Sequence, residues 1–299
     1  MYSAIVILNY NDGKLTYDYV KRIEKYNTLD YIVVVDNCST DSSLMILDRL
    51  EEECPKVIVL SSDNNKGYAA GNNIGLRYLY QVQGSDGIVF ISNPDIEIGN
   101  KVFDDLQIEL SNNDNLFAAT GLVHNAKGNI IPICMWKLPT LGTLFVNSST
   151  IIRNIMHRFF GYGTKYKFTD EILKRKFVEC DAIPGCFFAC KLKEMHEIGY
   201  FDENTFLFFE EDILFSRAKE KGYAVGILPH DKIIHMEGVS IKKSLNSWKK
   251  RELILEDSAI VYIKKCLHFN SFVCGLYKMW NRFWLPERFL FYRITSIQE

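Results

Sequence analysis

Short apolar runs that end in polar residues recur through the first third of the chain. Four such runs, rich in Val, Ile and Leu, lie at residues 4–8, 31–35, 57–60 and 87–91. The segments between them repeat apolar residues at helical spacing, over about residues 15–26, 42–53 and 69–81. Buried strands that alternate with helices indicate an α/β fold, with a mixed, mainly parallel sheet flanked by helices.

The polar residues that follow these runs are predicted to lie close together. In an open α/β sheet, ligands bind in the crevice outside the carboxyl ends of the strands. Asn9 and Asn11 follow the first run, Asp36 follows the second, and Asn93 to Asp95 follow the fourth. The sequence therefore predicts a polar ligand site at this edge of the sheet.

The second half of the chain has a less regular pattern. Residues 120–180 mix Gly, Asn, Pro and aromatic residues without a clean period, which favours long loops over the sheet. We predict a strand over residues 182–191, a helix over about 211–221 that is closed by Gly222, and a last strand at 233–235.

The segment 241–299 differs from the rest in charge and composition. It holds eleven Lys or Arg against five Asp or Glu, a net charge of +6, whereas residues 1–240 carry −8. Trp248, Trp280 and Trp284 all lie in it, and its apolar residues predict two amphipathic helices, the second stopped by Pro286. We therefore divide the chain into a catalytic domain, residues 1–240, and a C-terminal helical appendage, residues 241–299.

Two hypotheses stay open for residues 245–299. The helices pack on the catalytic domain or on a second subunit, or they form a basic, aromatic surface that lies on an anionic membrane. Binding to anionic vesicles distinguishes the two.

Composition also excludes several functions. A net charge of −2 argues against binding to nucleic acid, and the eight cysteines include no Cys-x-x-Cys pair. The sequence contains no recognisable signal peptide and no apolar run near the roughly 18–20 residues that span a bilayer. We expect a cytoplasmic protein with reduced thiols.

Asn93-Pro94-Asp95 is the strongest single motif. A carboxylate at a strand end can hold Mg²⁺ or Mn²⁺ against phosphate oxygens, because these cations prefer oxygen ligands. The same three residues also favour a simple turn, so the motif alone does not decide between the two.

Two further blocks precede predicted helices. Asp36 can accept hydrogen bonds from a nucleobase or ribose, while Ser39 to Asp41 suit helix capping. The stretch from Asn65 through Gly67 to Asn73 presents free backbone N–H groups to a phosphate or sugar, although packing explains its glycines equally well.

Three adjacent acids follow the aromatic run 206–209. Glu210, Glu211 and Asp212 suit a helix N-terminus, where the helix dipole stabilises carboxylates. They also suit a general base that removes an acceptor proton beside an aromatic wall for a sugar. His235 ends the last predicted strand and is a candidate metal ligand or phosphate contact, although a lone histidine is more often structural.

In their order and spacing, these motifs closely resemble family-2 glycosyltransferases of the GT-A fold, especially bacterial rhamnosyltransferase-like members that build surface polysaccharides. The resemblance covers about residues 1–240. It implies an inverting reaction: an acceptor hydroxyl attacks the anomeric carbon of a nucleotide-diphosphate sugar, and the nucleoside diphosphate departs. The implied acceptor is a glycan or a lipid-linked saccharide, and the second hypothesis for the tail would place the enzyme at the inner face of the cell membrane.

The resemblance also assigns roles to individual residues. Asp36 is similar to the family's base-and-ribose contact, with Asn9, Asn11, Asn65, Gly67, Asn73 and Asn93 completing the donor nucleotide site. Asp95 matches the last acid of the family's Asp-x-Asp motif, with Asn93 in place of the first acid. With His235, Asp95 is expected to bind a divalent cation, Mn²⁺ or Mg²⁺. Gly185, Phe208 and Glu210 are assigned to the sugar and the acceptor.

The identity of the base depends on the register chosen. The family motif is Glu-Asp with an Arg six residues after the Asp, and counting back from Arg217 places Glu211 in the Asp slot and Glu210 in the Glu slot. Matching the letters instead selects Glu211 and Asp212. We assign the base to Glu211, with Asp212 in reserve, because helix geometry fixes which side chain points into the cleft.

Two alternative functions were weighed. A sugar nucleotidyltransferase needs an Arg- or Lys-containing triphosphate loop after the first strand, and residues 9–13 contain neither Arg nor Lys. A non-catalytic subunit that only binds nucleotide sugars has no need of the acidic triplet.

Overall fold

The computed structural model describes residues 1–164, 166, 168–236 and 247–296. Within this part of the chain, nine strands form one sheet. The strands are β1 (Tyr2–Asn9), β2 (Tyr31–Asp36), β3 (Val57–Ser61), β4 (Gly87–Ser92), β5 (Ile96–Glu97), β6 (Leu116–Asn125), β7 (Val178–Cys180), β8 (Phe187–Lys191) and β9 (Ala224–His235). The helices, numbered as they are described, are α1 (Gly13–Ile23), α2 (Ser43–Glu53), α3 (Tyr68–Gln83), α4 (Asn100–Asn112), α5 (Leu141–Asn147), α6 (Thr150–Phe160), α7 (Asp170–Leu173), α8 (Leu192–Glu197), α9 (Glu210–Glu220), α10 (Trp248–Lys265), α11 (Ser271–Phe283) and α12 (Leu285–Ser296).

The sheet is mixed and has the strand order β3-β2-β1-β4-β8-β6-β9-β5, with β7 on β9. Strands β1 to β4 pair in parallel, β6 pairs in parallel with β9, and β8 runs antiparallel to both β4 and β6. The predicted mixed, mainly parallel sheet flanked by helices is confirmed. The order reverses at β1, since β2 and β4 lie on its two sides, and this creates a crevice at the carboxyl end of β1.

Helix α3 packs directly on β1, and its glycines make this possible. A Cβ at Gly71 would lie 2.4 Å from a methyl carbon of Leu8, and one at Gly75 would lie 2.7 Å from a methyl carbon of Val6. Of the two explanations for these glycines, close packing accounts for both positions. The packing fixes the first turn of α3 at the edge of the crevice.

The prediction of long loops over residues 120–180 is wrong in part. Strand β6 continues to Asn125, and the helices α5, α6 and α7 and the short strand β7 lie in this region. Their sequences are short and separated by Gly, Pro and Thr, so their periods are hard to see. The predicted strand 182–191 begins only at Phe187, and the predicted strand 233–235 is the end of the longer β9.

The tail forms three described helices rather than two. The second helix ends at Phe283, ahead of Pro286, as predicted; Pro286 is then the second residue of α12, where its missing N–H costs no hydrogen bond. Ala259, Tyr262 and Ile263 of α10 form a buried cluster with Ile213 of α9. The tail therefore packs on the catalytic part of the chain. No described helix combines the length and the apolar composition needed to span a bilayer.

Candidate active site

A cavity of about 340 Å³ opens at the carboxyl ends of β1 and β4, beneath the segment 206–209. Eight of the sequence-predicted site residues line it: Asn65, Gly67, Asn93, Gly185, Phe208, Glu210, Glu211 and His235. The structure therefore gathers residues that are up to 170 positions apart in the chain. Asn9, Asn11, Asp36, Asn73, Asp95 and Asp212 are not among the side chains that line it.

Asp36 lies behind the cavity wall, in a buried network at the ends of β1 and β2. Its Oδ1 accepts hydrogen bonds from Asn9 Nδ2 at 2.7 Å and from the Ser39 hydroxyl at 2.6 Å. Its Oδ2 accepts the backbone N–H of Ser39 at 3.0 Å. Asn11, which has a left-handed φ of 54°, is held by Ser39 and Thr40. This network orders the loop that follows β2.

The next residue, Asn37, forms the wall itself. Its amide nitrogen donates to Asn65 Oδ1 at 3.1 Å and to the backbone carbonyl of Gly67 at 3.2 Å. Asn65 Oδ1 also accepts the Gly67 N–H at 3.0 Å. The two asparagines therefore join the loop after β2 to the turn before α3. The sequence analysis assigned the ligand contact to Asp36 and overlooked Asn37. Because side chains alternate along an extended segment, Asn37 points to the opposite side from Asp36.

Asn73 is fully buried on α3 and has its hydrogen bonds satisfied inside the protein. It donates to the Phe201 carbonyl at 3.0 Å and to Glu203 at 2.9 Å, and it accepts the Phe201 N–H at 3.1 Å. This arrangement fixes the segment that leads to the acidic triplet rather than contacting the cavity.

Asp95 and His235 meet at the inner end of the cavity. Antiparallel pairing of β5 with β9 places residue 96 opposite His235, and the His235 Nε2 lies 3.2 Å from Asp95 Oδ1. Burial opposes a charge on His235, but contact with the Asp95 carboxylate and with Cys186 raises its pKa to about 10. A divalent cation that binds here would have to displace the imidazole proton, because a metal-ligating histidine is deprotonated.

The donor set at this point fits a divalent cation. The buried Asp95 Oδ1 lacks a well-aligned hydrogen bond within the described residues, and the His235 imidazole is its ionic neighbour. No group of three or more His, Cys, Asp or Glu side chains in the described part of the chain is arranged to hold a metal alone. Mg²⁺ and Mn²⁺ sites commonly combine one or two protein ligands with substrate phosphate oxygens and water, so two ligands suffice here.

The acidic triplet begins α9, and its three carboxyl groups point to different places. Glu210 and Glu211 line the cavity, whereas the Asp212 Oδ1 accepts the indole N–H of Trp136 at 2.8 Å. Burial raises the pKa of all three, and a neighbouring Glu211 charge raises those of Glu210 and Asp212 further. Asp212 reaches a pKa of about 7 despite the opposing hydrogen bond from Trp136.

Glu211 has a hydrogen-bond donor that Glu210 lacks. Gly185 donates its backbone N–H to Glu211 Oε1 at 3.0 Å, which partly offsets the burial that raises the pKa of Glu211. Glu210 is buried, its Oε1 lacks a hydrogen-bond partner within the described residues, and burial together with the nearby Glu211 charge raises its pKa well above the ordinary value. Of the two adjacent carboxyl groups, Glu210 is therefore the one whose charged form is more strongly disfavoured.

Tyr68 ties the two sides of the cavity together. Its hydroxyl donates to the Gly185 carbonyl at 2.6 Å, and its backbone N–H donates to the Phe206 carbonyl at 3.0 Å. Since the Gly185 N–H in turn binds Glu211, the first turn of α3 positions the acid through a single residue. Sequence analysis did not identify Tyr68, since nothing local distinguishes it from a core aromatic residue.

The aromatic segment over the cavity is strained and supported by the tail. Phe208 and Phe209 both have left-handed backbones, with φ of 72° and 64°, at a cost of about 1–3 kcal/mol each. Helix α10 holds this segment: Ser258 donates to the Leu207 carbonyl at 2.9 Å, and the Arg251 guanidinium lies 5.6 Å from the centre of the Phe208 ring. The tail thus contributes to the shape of the cavity.

Comparison with known proteins identifies the class. The model of the family described as Glycosyl transferase family 2 matches residues 4–132. The low-salt glycan biosynthesis hexosyltransferase Agl10 of Haloferax volcanii is 25% identical over 252 residues, which cover 82% of this chain and 71% of that protein. The dTDP-rhamnosyl transferase RfbF of Shigella flexneri is 27% identical over 209 residues, which cover 70% of this chain and 60% of RfbF.

The fold agrees with these relationships. The mannosyltransferase PcManGT from Pyrobaculum calidifontis, solved in complex with GDP-Man and Mn²⁺, superposes with a TM-score of 0.57 at 14% identity, over 95% of this chain and 72% of that one. The fold is that of the GT-A glycosyltransferases, and the matched family model and both relatives support a family-2 glycosyltransferase, as the sequence motifs predicted.

Proposed function

We propose that this enzyme transfers a sugar from a nucleoside-diphosphate sugar to a saccharide hydroxyl by a single displacement that inverts the anomeric carbon. One observation carries the proposal: the Glu211 carboxylate is fixed on the cavity wall by the Gly185 N–H, beside Glu210, whose own pKa is raised well above the ordinary value. A fixed carboxylate of raised pKa is suited to accept a proton from an attacking hydroxyl.

The proposed reaction needs little rearrangement of the protein. The acceptor oxygen forms a bond to the anomeric carbon while its proton passes to Glu211, and the bond from that carbon to the diphosphate oxygen breaks with its electron pair. Glu210, whose pKa is raised well above the ordinary value, donates a hydrogen bond to a sugar oxygen in its protonated form, and the Phe206 and Phe208 rings that line the cavity contact the apolar face of the sugar. Asp212 supports Trp136 in the wall instead of acting as the base.

The donor's nucleoside diphosphate occupies the other half of the cavity. Asn37, Asn65 and Gly67 form its polar wall, and the Asp36–Ser39 network supports them from behind. Asp95 and His235, with Asn93 on the same wall, would hold a Mn²⁺ or Mg²⁺ ion, which supplies positive charge against the departing diphosphate.

The relatives suggest the biological setting. Agl10 is named for glycan biosynthesis and RfbF for dTDP-rhamnosyl transfer. We infer that this enzyme acts in the assembly of a bacterial surface polysaccharide, on a glycan or lipid-linked saccharide acceptor. A rhamnosyl donor is the first candidate.

Slow donor hydrolysis, in which water replaces the acceptor, tests the proposal without a known acceptor. Each of dTDP-rhamnose, UDP-glucose, UDP-GlcNAc and GDP-mannose is incubated with the enzyme, with and without Mn²⁺, and the released sugar is followed by proton NMR at early times. We expect one donor to be favoured and its sugar to be released with the inverted anomeric configuration. Release with retained configuration would contradict the displacement.

The cation site has its own test. Asp95→Asn is expected to weaken Mn²⁺-dependent binding of the favoured nucleoside diphosphate, measured by calorimetry, by roughly tenfold or more, since it removes one of two protein ligands. Asp63→Asn, a change at an exposed carboxylate outside the cavity, serves as the control. Equal affinity in both variants would remove Asp95 from the cation site.

A further inference from the structure

Helix α6 turns its apolar face away from the protein. Ile151, Ile155 and Phe159 are spaced four residues apart and lie on one side of the helix, and they are 46%, 47% and 71% exposed. Phe160 is 72% exposed, and none of the helix's eleven residues is buried. An amphipathic helix on a globular domain normally buries this face.

Helix α11 shows the same arrangement. Phe272, Leu276, Met279 and Phe283 form one stripe, and all four are exposed, three of them by about two thirds or more. The opposite side of α11 packs on the protein through Cys274, Tyr277 and Asn281. The helix therefore buries its more polar side and presents its most apolar side to solvent.

Helix α12 joins these two helices into one region. The Glu287 carboxylate of α12 accepts the backbone N–H groups of Thr150 and Ile151 at 3.1 and 2.8 Å, so α12 caps the first turn of α6. Helix α11 leads into α12 at residues 284–285, and α12 adds Leu290 and Ile294, which are also exposed. We call the exposed faces of α6, α11 and α12 the apolar–basic surface.

The charge on this surface is net positive. The three helices contain six Lys or Arg and one Asp or Glu; the basic residues are Arg153, Arg158, Lys278, Arg282, Arg288 and Arg293, of which Arg288 is largely buried. The one acid, Glu287, accepts backbone N–H groups at the N-terminus of α6, where the helix dipole stabilises its charge. Lys278 and Arg282 both face Glu256 of α10, and Arg288 faces Glu252. Even with these two acids included, cations remain in excess.

We propose that the apolar–basic surface docks on an anionic membrane. Apolar side chains of Ile, Phe, Leu and Met beside Arg and Lys are the pattern of helices that lie in the bilayer interface. The positive excess is complementary to anionic lipid headgroups. A second copy bound through the same surface would place these basic residues against one another, which disfavours a two-fold dimer here. The sequence alone pointed to residues 245–299; the structure adds α6, from the middle of the chain.

Helix α10 connects the apolar–basic surface to the cavity. Trp248 at the start of α10 packs against Phe289 and Tyr292 of α12, with ring centres 5.1 and 5.9 Å apart. The same helix holds the segment over the cavity through Arg251 and Ser258. A lipid-linked acceptor at the membrane would therefore meet a helix that reaches the active site.

Vesicle flotation of the full chain tests the proposal independently of catalysis. We expect binding to mixed phosphatidylglycerol and phosphatidylcholine vesicles, weaker binding at high salt, and little binding to phosphatidylcholine alone. In Phe272→Ser/Met279→Ser, and separately in Phe159→Ser/Phe160→Ser, partitioning should fall by roughly tenfold or more, because less apolar area enters the interface. Since these side chains are exposed, the variants should fold normally.

Met45→Ser/Ile108→Ser is the matched control, because it removes two exposed apolar side chains from α2 and α4. It should bind vesicles like the unmodified protein, and donor hydrolysis should be unchanged in all variants. Equal vesicle binding by all variants would overturn the proposal. So would a concentration-dependent dimer in sedimentation that the α11 variant abolishes, together with no vesicle binding, because a second copy would then be the occupant.

Discussion

The backbone N–H of Gly185 donates a 3.0 Å hydrogen bond to the Glu211 carboxylate, and Gly185 lies so close that any side chain there would displace it. A Cβ at this position would be 2.4 Å from Glu211 Oε1. The contact joins the segment before β8 to the first turn of α9. Gly185, which binds the Glu211 carboxylate, is itself held by the Tyr68 hydroxyl.

Gly185→Ala should therefore lower turnover by roughly 10²-fold while the fold and donor binding persist. The added methyl group displaces Glu211 from its position, and misplacing a catalytic group by about 1 Å costs on the order of 10²-fold in rate. Donor hydrolysis and calorimetry with the nucleoside diphosphate separate the two effects. Gly99→Ala is the control, since a Cβ at Gly99 meets no atom within 4 Å. Full activity in Gly185→Ala would contradict the assigned position of the base.

The two candidate bases can be distinguished by removing one charge at a time. Glu211→Gln should reduce the transfer or hydrolysis rate by roughly 10²–10⁴-fold, the usual contribution of a general base, with little change in nucleotide affinity. Asp212→Asn keeps an oxygen for the Trp136 N–H, and its activity should remain within about tenfold of the unmodified enzyme. A larger loss in Asp212→Asn than in Glu211→Gln would transfer the role to Asp212.

The raised pKa of Glu211 predicts the acid side of the pH–rate profile. A base acts only when ionised, so activity falls as pH falls through its pKa. Because burial raises that pKa, the half-maximal rate should occur above the ordinary Glu value of about 4.3. Hydrolysis rates of the saturated enzyme between weakly acidic and neutral pH measure this. An inflection at or below the ordinary value would show that Glu211 is not buried in the working enzyme.

Asp212 should make the folded state less stable as pH rises. Its pKa is raised from 3.8 to about 7 in the folded protein, so the folded state binds the proton more tightly than the unfolded chain does. The resulting stability is fully present below the unfolded pKa and is lost as pH rises through the folded pKa of about 7, by on the order of 4 kcal/mol at most. Asp212→Asn should remove this dependence, so thermal melting compared at acidic and neutral pH should show its relative stability increasing with pH. A constant difference would contradict the prediction.

Gly67 should tolerate no side chain. Its φ is +95°, and a Cβ would lie 2.0 Å from the Phe206 carbonyl oxygen. Gly84 has a similar φ of +84° but no atom within 4 Å of a Cβ, so Gly84→Ala measures the backbone strain alone. Gly67→Ala should lower the melting temperature well beyond Gly84→Ala. Equal effects would mean that the segment 206–209 moves aside easily.

The parallel half of the sheet and the position of the site could be read from the sequence, because both depend on local patterns. Four apolar runs ending in polar residues placed the cavity, and the spacing of Glu211 to Arg217 favoured the acid that lines it. Within the pair Asp36 and Asn37, which residue lines the cavity could not be read from the sequence. Whether Asp36 or Asn37 faces the cavity depends on hydrogen bonds to Asn9, Ser39 and Asn65, which only the fold brings together.

Contacts between residues that are far apart in the sequence could not be predicted either. Asp212 does not line the cavity, and its carboxylate accepts the indole N–H of Trp136, 76 residues earlier. Helix α6 was not predicted from the sequence, because its apolar stripe packs on no buried partner. An amphipathic pattern identifies a buried face only when the side that the protein covers is known.

The buried cluster between α9 and α10 has a consequence for where the chain can be shortened. Ile213 follows the acidic triplet directly, and its apolar neighbours include Ala259, Tyr262 and Ile263 from the tail. A protein cut before Trp248 would leave Ile213 facing water, and the strained pair Phe208–Phe209 would lose the helix that braces it. The residues proposed for catalysis would all remain in such a fragment, yet it would be expected to aggregate or to lose turnover.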